Sequence, residues 1–180
     1  STKTGLISLQ AKGFLLTKAR FPSWVLVLSS LSNATITLGV FAVPFMAYLV
    51  VVSRAPGAVA LALFLFYLVL YFFIVAGISL GASVLFLRYR DLNQVWEVVT
   101  QAGFFIAPII YPLEIIPERY HIYLYLWPPT PVIQFSRAVL VDATIPTLKA
   151  HLLLVAVTAV VFAAGAAIFR AHSPTAAERL

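Results

Sequence analysis

The side chains that could carry acid–base or metal chemistry are few and far apart. His121, His151 and His172 are separated by 30 and 21 residues, and none pairs with another at helical spacing. We therefore expect no metal site. Glu118 and Asp142 lie near His121 in the sequence, but no nucleophile or metal-ligand spacing accompanies them. We expect both carboxylates to cap helices or contact lipid headgroups, and we expect no enzymatic activity in this chain.

Nucleotide and thiol chemistry are missing from the sequence. There is no G-x-x-x-x-G-K-[ST] motif, the loop whose backbone N–H groups cradle phosphates in many ATPases. There is also no Cys, which excludes disulfides, thiolate metal ligands and a Cys nucleophile. We therefore expect no cofactor in this chain, and any ATP that drives its function must be bound by a partner subunit.

One carboxylate, Glu97, follows Trp96 at the predicted start of an apolar helix. A carboxylate at this place complements the positive end of the helix dipole. A proton-relay role for an acidic group inside a membrane is the alternative.

These few polar residues lie in a chain with the composition of a membrane protein. Of 180 residues, 62% are hydrophobic and 10% are charged, against roughly 45–50% and about 25% in soluble domains. So few charges cannot cover the exterior of a soluble fold of this size. The net charge of +6 comes from basic residues that punctuate apolar runs. We therefore expect membrane lipid around the chain and no nucleic acid as a partner.

The apolar runs predict an all-α integral membrane protein that forms a single transmembrane domain over residues 1–180. Four runs are candidates to cross the roughly 30 Å hydrocarbon core as helices. They cover residues 22–52, 58–87, 94–111 and 150–169. Pro44 lies late in the first run and predicts a kink or an interfacial last turn. Turn-forming residues at 53–57 predict a tight reversal before the second run.

The distribution of basic residues predicts the orientation. With four spans both termini lie on one side, and that side holds eight Lys and Arg residues against four on the other. Short cytoplasmic loops carry the excess of basic residues, so we expect both termini, including the tail 170–180, in the cytoplasm. Trp24, Trp96 and Trp127 fall near predicted ends of spans, where aromatic anchors sit at the level of the headgroups.

Residues 112–149 do not fit a simple helical bundle. Six of the eleven prolines fall within the 24 residues from Pro108 to Pro131, and no continuous helix survives that spacing. The segment is too apolar for a solvated loop, and irregular backbone at membrane depth is tolerated only when it is buried in protein or lines a cavity. We predict two short re-entrant or interfacial helices, Pro117–Leu126 and Pro131–Val141. An aromatic-rich interfacial loop without a transport role is the alternative.

The first 21 residues form a predicted amphipathic cytoplasmic segment. Between Leu6 and Arg20 apolar residues favour one side of a helix and basic residues the other, which is typical of a helix that lies at the membrane surface. A basic flank without any partner is an equally open interpretation.

Gly77 and Gly81 are spaced so that two helices can approach closely in the second span. Packing within the subunit is the default interpretation. A face that assembles with another protein is the alternative.

Four sequence motifs, in this order, resemble the permease subunit of type-two ABC exporters. They are FLRYRDLN at residues 86–93, QAGFFIAPIIYP at 101–112, IPERY at 116–120 and WPPTP at 127–131. More narrowly, the chain is similar to the branch that exports lipid-linked polysaccharides such as O-antigen, teichoic acid or capsule. Residues 15–22 (LLTKARFP) also resemble the family's short coupling helix, which docks on the ATPase.

The resemblance implies a multi-pass protein of the bacterial plasma (inner) membrane that works as a homodimer with ABC ATPase subunits. Family permeases usually have six spans, and this chain begins just before the third. We therefore expect it to correspond to the C-terminal two-thirds of a six-span permease.

The resemblance also implies three groups of functional residues. The substrate pathway would include Phe104, Phe105 and Tyr111. The outer gate, within the gate-like segment 112–149, would include Pro117, Tyr120, Tyr123, Trp127 and Pro131. The residues that couple to the ATPase would be Lys12, Lys18, Arg20, Phe21 and Pro22.

The leading hypothesis from the sequence is a non-catalytic permease subunit of an ATP-driven exporter that moves a lipid-linked polysaccharide across the plasma membrane. A type-two exporter of drugs or lipids is the first alternative, because the fold is shared. The second is an intramembrane enzyme acting on lipid-linked sugars, with His121, Glu118 and Asp142 at the outer surface. The third is a structural membrane partner that assembles through Gly77 and Gly81.

Overall fold

A computed structural model describes residues 2, 3, 5, 7, 23–51, 57–89, 91–109, 111 and 113–177 of the chain. The regular structure in these ranges is entirely helical, and they contain no strand. The prediction of an all-α protein is therefore confirmed.

Within these ranges the α-helices are α1 (Ser23–Val51), α2 (Ala58–Arg88), α3 (Leu92–Ile106), α4 (His121–Tyr125), α5 (Pro129–Leu140) and α6 (Leu148–Ala177). Two short 3-10 helices, Leu113–Ile115 and Glu118–Tyr120, lie between α3 and α4. Thr2, Lys3, Gly5 and Ile7 are also helical.

Three helices are long and apolar enough to cross a membrane. The candidate spans are Val27–Leu49 in α1, Ala58–Phe86 in α2 and Leu148–His172 in α6. Large apolar side chains on their surfaces, such as Phe41, Val69 and Val160, remain exposed. A helix that is apolar on all sides is stable only where its surroundings are apolar as well. The chain therefore has the helices of a membrane protein.

The prediction of four spans is wrong at α3. The predicted span 94–111 corresponds to a helix of 15 residues that ends at Ile106. At 1.5 Å per residue it is about 22 Å long, which is too short for a hydrocarbon core of roughly 30 Å. Pro108 explains the difference, because proline has no N–H to donate and disfavours helical backbone at the residue before it. The apolar run continues through Tyr111, but the helix does not.

Helix α1 stays within the predicted span 22–52, whereas α6 extends beyond the predicted span 150–169. Helix α1 continues past Pro44 to Val51, so the proline does not end it. Helix α6 continues to Ala177 and includes most of the predicted tail 170–180.

The chain divides into two compact units. The first comprises Ser1–Phe41, Phe72–Val98 and Ala159–Leu180, and the second comprises Ala42–Tyr71 and Val99–Thr158.

The first unit has a small apolar core. Val27 of α1, Leu80 and Val84 of α2 and Phe169 of α6 are buried together, and Phe162 packs against them. All of these residues lie in candidate spans, where lipid is the alternative surrounding, so van der Waals packing stabilises this core rather than the hydrophobic effect.

Glycines bring α2 and α6 into backbone contact in the same unit. A Cβ atom on Gly77 would lie 2.6 Å from the Cα atom of Phe162 and 2.8 Å from the carbonyl oxygen of Val161. A Cβ atom on Gly81 would lie 3.4 Å from the Cα atom of Gly165. Both glycines of the spaced pair therefore serve packing inside the chain.

The second unit contains the short helices. The buried side chains of this unit include Val132, Val139 and Leu140 of α5, together with Tyr67 of α2 and Leu154 of α6. Helix α5 begins with Pro129 in its first turn, where the missing N–H of proline costs nothing.

Candidate functional site

The broken segment, residues 107–147, begins where α3 ends. Ala107 and Pro108 are buried, and the Ala107 N–H donates to the carbonyl oxygen of Gly103 at 2.9 Å. The side-chain amide of Gln134 on α5 donates to the carbonyl oxygen of Pro108 at 3.1 Å. Backbone polar groups that a broken helix releases into a buried place must find such partners. The break is therefore built into the packing of the second unit.

Two side chains hold the next turns of the broken segment. The Tyr111 hydroxyl donates to the carbonyl oxygen of Ile106 at 2.7 Å. The Nε2 atom of His121 lies 2.8 Å from the carbonyl oxygen of Ile116 and 3.2 Å from that of Leu113. Since carbonyl oxygens only accept, this ring nitrogen carries a proton and donates it to the main chain. His121 thus stabilises a turn.

The acid–base trio considered from the sequence is not joined by hydrogen bonds in the described structure. His121 is engaged with the main chain, Asp142 is exposed, and the side chain of Glu118 lies outside the described residues. No group of three His, Asp or Glu side chains comes within metal-binding reach in the described part of the chain.

Trp127 packs the linker between α4 and α5 against α3. A Cβ atom on Gly103 would overlap the Trp127 indole ring, so the ring lies directly on the backbone of α3. The Thr130 N–H donates to the Trp127 carbonyl oxygen at 2.9 Å, which closes the turn into α5. A glycine at this position of α3 is therefore needed for the close approach of the ring.

The predicted gate residues separate into an exposed and a packed group. Tyr120 and Tyr123 are 44% and 68% exposed, and Pro117 is also exposed. Trp127 is half-buried and Pro131 is buried inside the second unit. The exposed tyrosines are available to a ligand, whereas the packed pair holds the short helices in place.

A contact between neighbouring side chains shapes the exposed group. The guanidinium of Arg119 lies over the Tyr120 ring, 4.7 Å from its centroid, which is within the range of cation–π attraction.

The predicted pathway residues do not form one surface. Phe104 and Phe105 are exposed on α3, with their rings 5.8 Å apart and nearly perpendicular. Tyr111 instead lines a cleft to which neither phenylalanine contributes. Neighbouring residues of a helix point about 100° apart, so Phe104 and Phe105 face different directions.

The cleft lies within the second unit, is open to its surroundings and has a volume of about 640 Å³. Its lining residues are Phe45, Phe64, Ile109, Tyr111, Ser136, Arg137, Leu140 and Val141. The walls are mostly apolar, and Arg137 contributes the charge. A cleft of this size is in the range of small-molecule sites, and the sequence analysis did not predict it.

Sequence reasoning also missed a buried polar cluster on α2, α5 and α6. Tyr67 is fully buried, and its hydroxyl lies 2.7 Å from Nε2 of His151. Nδ1 of His151 lies 3.0 Å from the carbonyl oxygen of Thr147. The Phe135 ring packs near both, with centroids 5.9 Å and 6.0 Å away. A tyrosine in the middle of a long apolar run was the available signal.

The predicted coupling residues Lys12, Lys18, Arg20, Phe21 and Pro22 lie outside the described residues. The described residues before them contact the start of α3. Lys3 forms an ion pair with Glu97 at 2.9 Å, with both side chains about half exposed. The Trp96 indole N–H donates to the Thr2 hydroxyl at 3.1 Å.

The sequence matches no protein-family model and no curated protein.

Proposed function

We propose that the chain is the membrane-spanning permease subunit of an ATP-driven exporter that moves lipid-linked polysaccharide, of O-antigen, teichoic acid or capsule type, across the bacterial plasma membrane. The observation that carries this proposal is the broken segment 107–147, which combines a buried, hydrogen-bonded helix break with short helices and exposed aromatic side chains. ATP hydrolysis belongs to a partner subunit, and a second copy of the chain completes the channel.

The helix break supports a passage rather than a surface loop. Irregular backbone is tolerated at membrane depth where protein buries it or where it lines a cavity. The carbonyl oxygen of Pro108 accepts from Gln134, and Ala107 and Pro108 are buried. In this proposal α3 and the chain that follows it cross the membrane together, so that both termini lie in the cytoplasm.

The exposed aromatic side chains fit a sliding carbohydrate. Tyr123, Phe104 and Phe105 are exposed, and Tyr120 is exposed with the Arg119 guanidinium over one face of its ring. Aromatic rings present an apolar face, which can pack on a sugar ring without directional hydrogen bonds. Such contacts hold a polymer while allowing it to move.

The contacts of the N-terminal residues with α3 support a route for mechanical coupling. Lys3 pairs with Glu97 and Thr2 accepts from Trp96. In the proposed mechanism the partner ATPase moves the amphipathic segment 1–21. These two contacts pass the movement to α3, whose far end carries the helix break.

The test is reconstitution with the partner ATPase. The chain is co-expressed with a candidate ABC ATPase subunit, purified and placed in proteoliposomes with a lipid-linked glycan. We expect the two subunits to copurify, and we expect the glycan to stimulate ATP hydrolysis. Transport by this chain alone, without nucleotide, would contradict the proposal.

Substitutions in the gate provide the sharper comparison. Tyr120→Ala and Tyr123→Ala should lower flux several-fold with an unchanged melting temperature, because both rings are exposed. Tyr48→Ala on α1, where the ring is 62% exposed, is the matched control and should leave flux unchanged. Equal losses of folded protein and flux in the two gate variants would indicate packing rather than a gate.

A further inference from the structure

The cleft in the second unit joins an apolar wall to a single guanidinium. Phe45 lies four residues before the end of the α1 candidate span at Leu49, and Phe64 lies six residues after the start of the α2 span at Ala58. These intervals correspond to about 6 Å and 9 Å along a helix. The cleft therefore lies near the end of the α1 span and the start of the α2 span, close to the level at which a bilayer changes from acyl chains to headgroups.

Arg137 lines this cleft, and it forms no ion pair with a carboxylate among the described residues. It is exposed at the C-terminal turn of α5. The nearby Asp142 approaches through its backbone, whose N–H lies 3.3 Å from the Arg137 carbonyl oxygen. The negative end of the helix dipole favours a cation here, but it leaves the fork of guanidinium donors open. Ser136 is the other polar residue among those that line the cleft with Arg137 and Tyr111.

We propose that this cleft binds the phosphate group of an anionic lipid, with the guanidinium of Arg137 on the phosphate and the lipid chain along Phe45, Phe64 and Leu140. A guanidinium matches phosphate oxygens with two parallel hydrogen bonds. The apolar wall would contribute nothing to the binding of a free phosphate ion. It would contribute to the binding of a lipid, because it removes the first segments of the lipid chain from contact with water. The inference does not depend on transport.

The test is a binding titration by native mass spectrometry on the full chain in a non-ionic detergent. The probes are phosphatidylglycerol, a diacylglycerol with the same acyl chains, undecaprenyl phosphate and inorganic phosphate. We expect both phosphate-bearing lipids to bind and the diacylglycerol to bind at least about tenfold more weakly, the effect of losing one charge-assisted interaction. Tighter binding of undecaprenyl phosphate than of phosphatidylglycerol would assign the site to a polyprenyl carrier. Equal binding would assign it to bilayer lipid.

Variants identify the site. Arg137→Gln should weaken binding of phosphatidylglycerol by about tenfold. Arg119→Gln removes the same charge outside the cleft and should bind as the wild type does. Val141→Trp keeps the guanidinium but fills the cleft, so it should also abolish lipid binding. This variant tests the site independently if Arg137→Gln does not fold.

Three results would overturn the proposal. The first is retention of phosphatidylglycerol by both Arg137→Gln and Val141→Trp. The second is an equal loss of binding in Arg119→Gln. The third is binding of inorganic phosphate as tight as that of phosphatidylglycerol, because the apolar wall would then have no part in recognition.

Discussion

At the scale of single side chains, the buried polar groups of the spans are mostly satisfied within a short reach. Thr158 donates its hydroxyl to the carbonyl oxygen of Leu154 at 2.8 Å, and Ser83 donates to that of Leu80 at 2.8 Å. The pair of Tyr67 and His151 is different, because it joins α2 to α6. A polar pair that joins two helices stabilises the packing of one on the other, not merely the helix that carries it.

The donor in that pair follows from its surroundings. The Thr147 carbonyl oxygen only accepts, so Nδ1 of His151 carries a proton. In the neutral ring Nε2 then accepts from the Tyr67 hydroxyl. Removing the hydroxyl leaves a half-buried nitrogen without its donor.

We predict that Tyr67→Phe lowers the free energy of unfolding by about 1–3 kcal/mol, the cost of an unsatisfied buried acceptor. Thermal unfolding in detergent, followed by circular dichroism, measures the effect. Tyr48→Phe is the control, because that side chain is 62% exposed, and it should change the melting temperature little. An unchanged melting temperature for both variants would show that the contact adds nothing to stability.

At the scale of helices, the contact of α2 with α6 depends on glycine. The atoms that a Cβ on Gly77 would meet belong to the backbone at Val161 and Phe162. Backbone atoms inside a helix cannot move aside singly, so any side chain at this position must separate the two helices. The glycine spacing that predicts close approach in the sequence is thus used between two helices of one chain.

We predict that Gly77→Ala destabilises the protein by about 1–3 kcal/mol through overpacking. Gly39→Ala is the matched control on α1, since a Cβ there meets no atom within 4 Å. It should be neutral or slightly stabilising, because alanine is the better helix former. Melting temperatures of the two variants in the same detergent test the difference, and equal shifts would contradict it.

At the scale of the whole molecule, the proposed function fixes which loops share a side of the membrane. Helix α3 is too short to cross alone, so a crossing between α2 and α6 requires the broken segment to complete it. Asp91 precedes α3, and Thr144 follows α5. The permease proposal requires these two residues on opposite sides.

Labelling of single cysteines tests this topology, since the chain has no Cys of its own. We expect a membrane-impermeant maleimide to reach only one of the variants Asp91→Cys and Thr144→Cys in sealed inside-out vesicles, and the other after detergent is added. Gly57→Cys, beyond α1, should label from the same side as Thr144→Cys. If Asp91→Cys and Thr144→Cys label from the same side, α3 and the broken segment are re-entrant, and an outer gate is excluded.

The sequence by itself determined the helical class, the membrane setting and the position of the broken segment. These follow from local causes: long apolar runs stabilise helices in lipid, and closely spaced prolines leave no room for a continuous helix between residues 108 and 131. The effect of proline on helices, applied at Pro108, predicts where α3 ends. A prediction from apolarity alone places the end of this helix at Tyr111.

Only the tertiary structure decided which faces meet. Tyr67 and His151 are 84 residues apart, and Gln134 reaches Pro108 across 26 residues. The tertiary structure also determines that Tyr120 and Tyr123 are exposed while Trp127 and Pro131 are packed. The cleft at Arg137 likewise exists only in the folded chain. Hydropathy and residue spacing predict each helix separately. A contact between two helices depends on how far apart they lie and how each is rotated, and only their packing sets these.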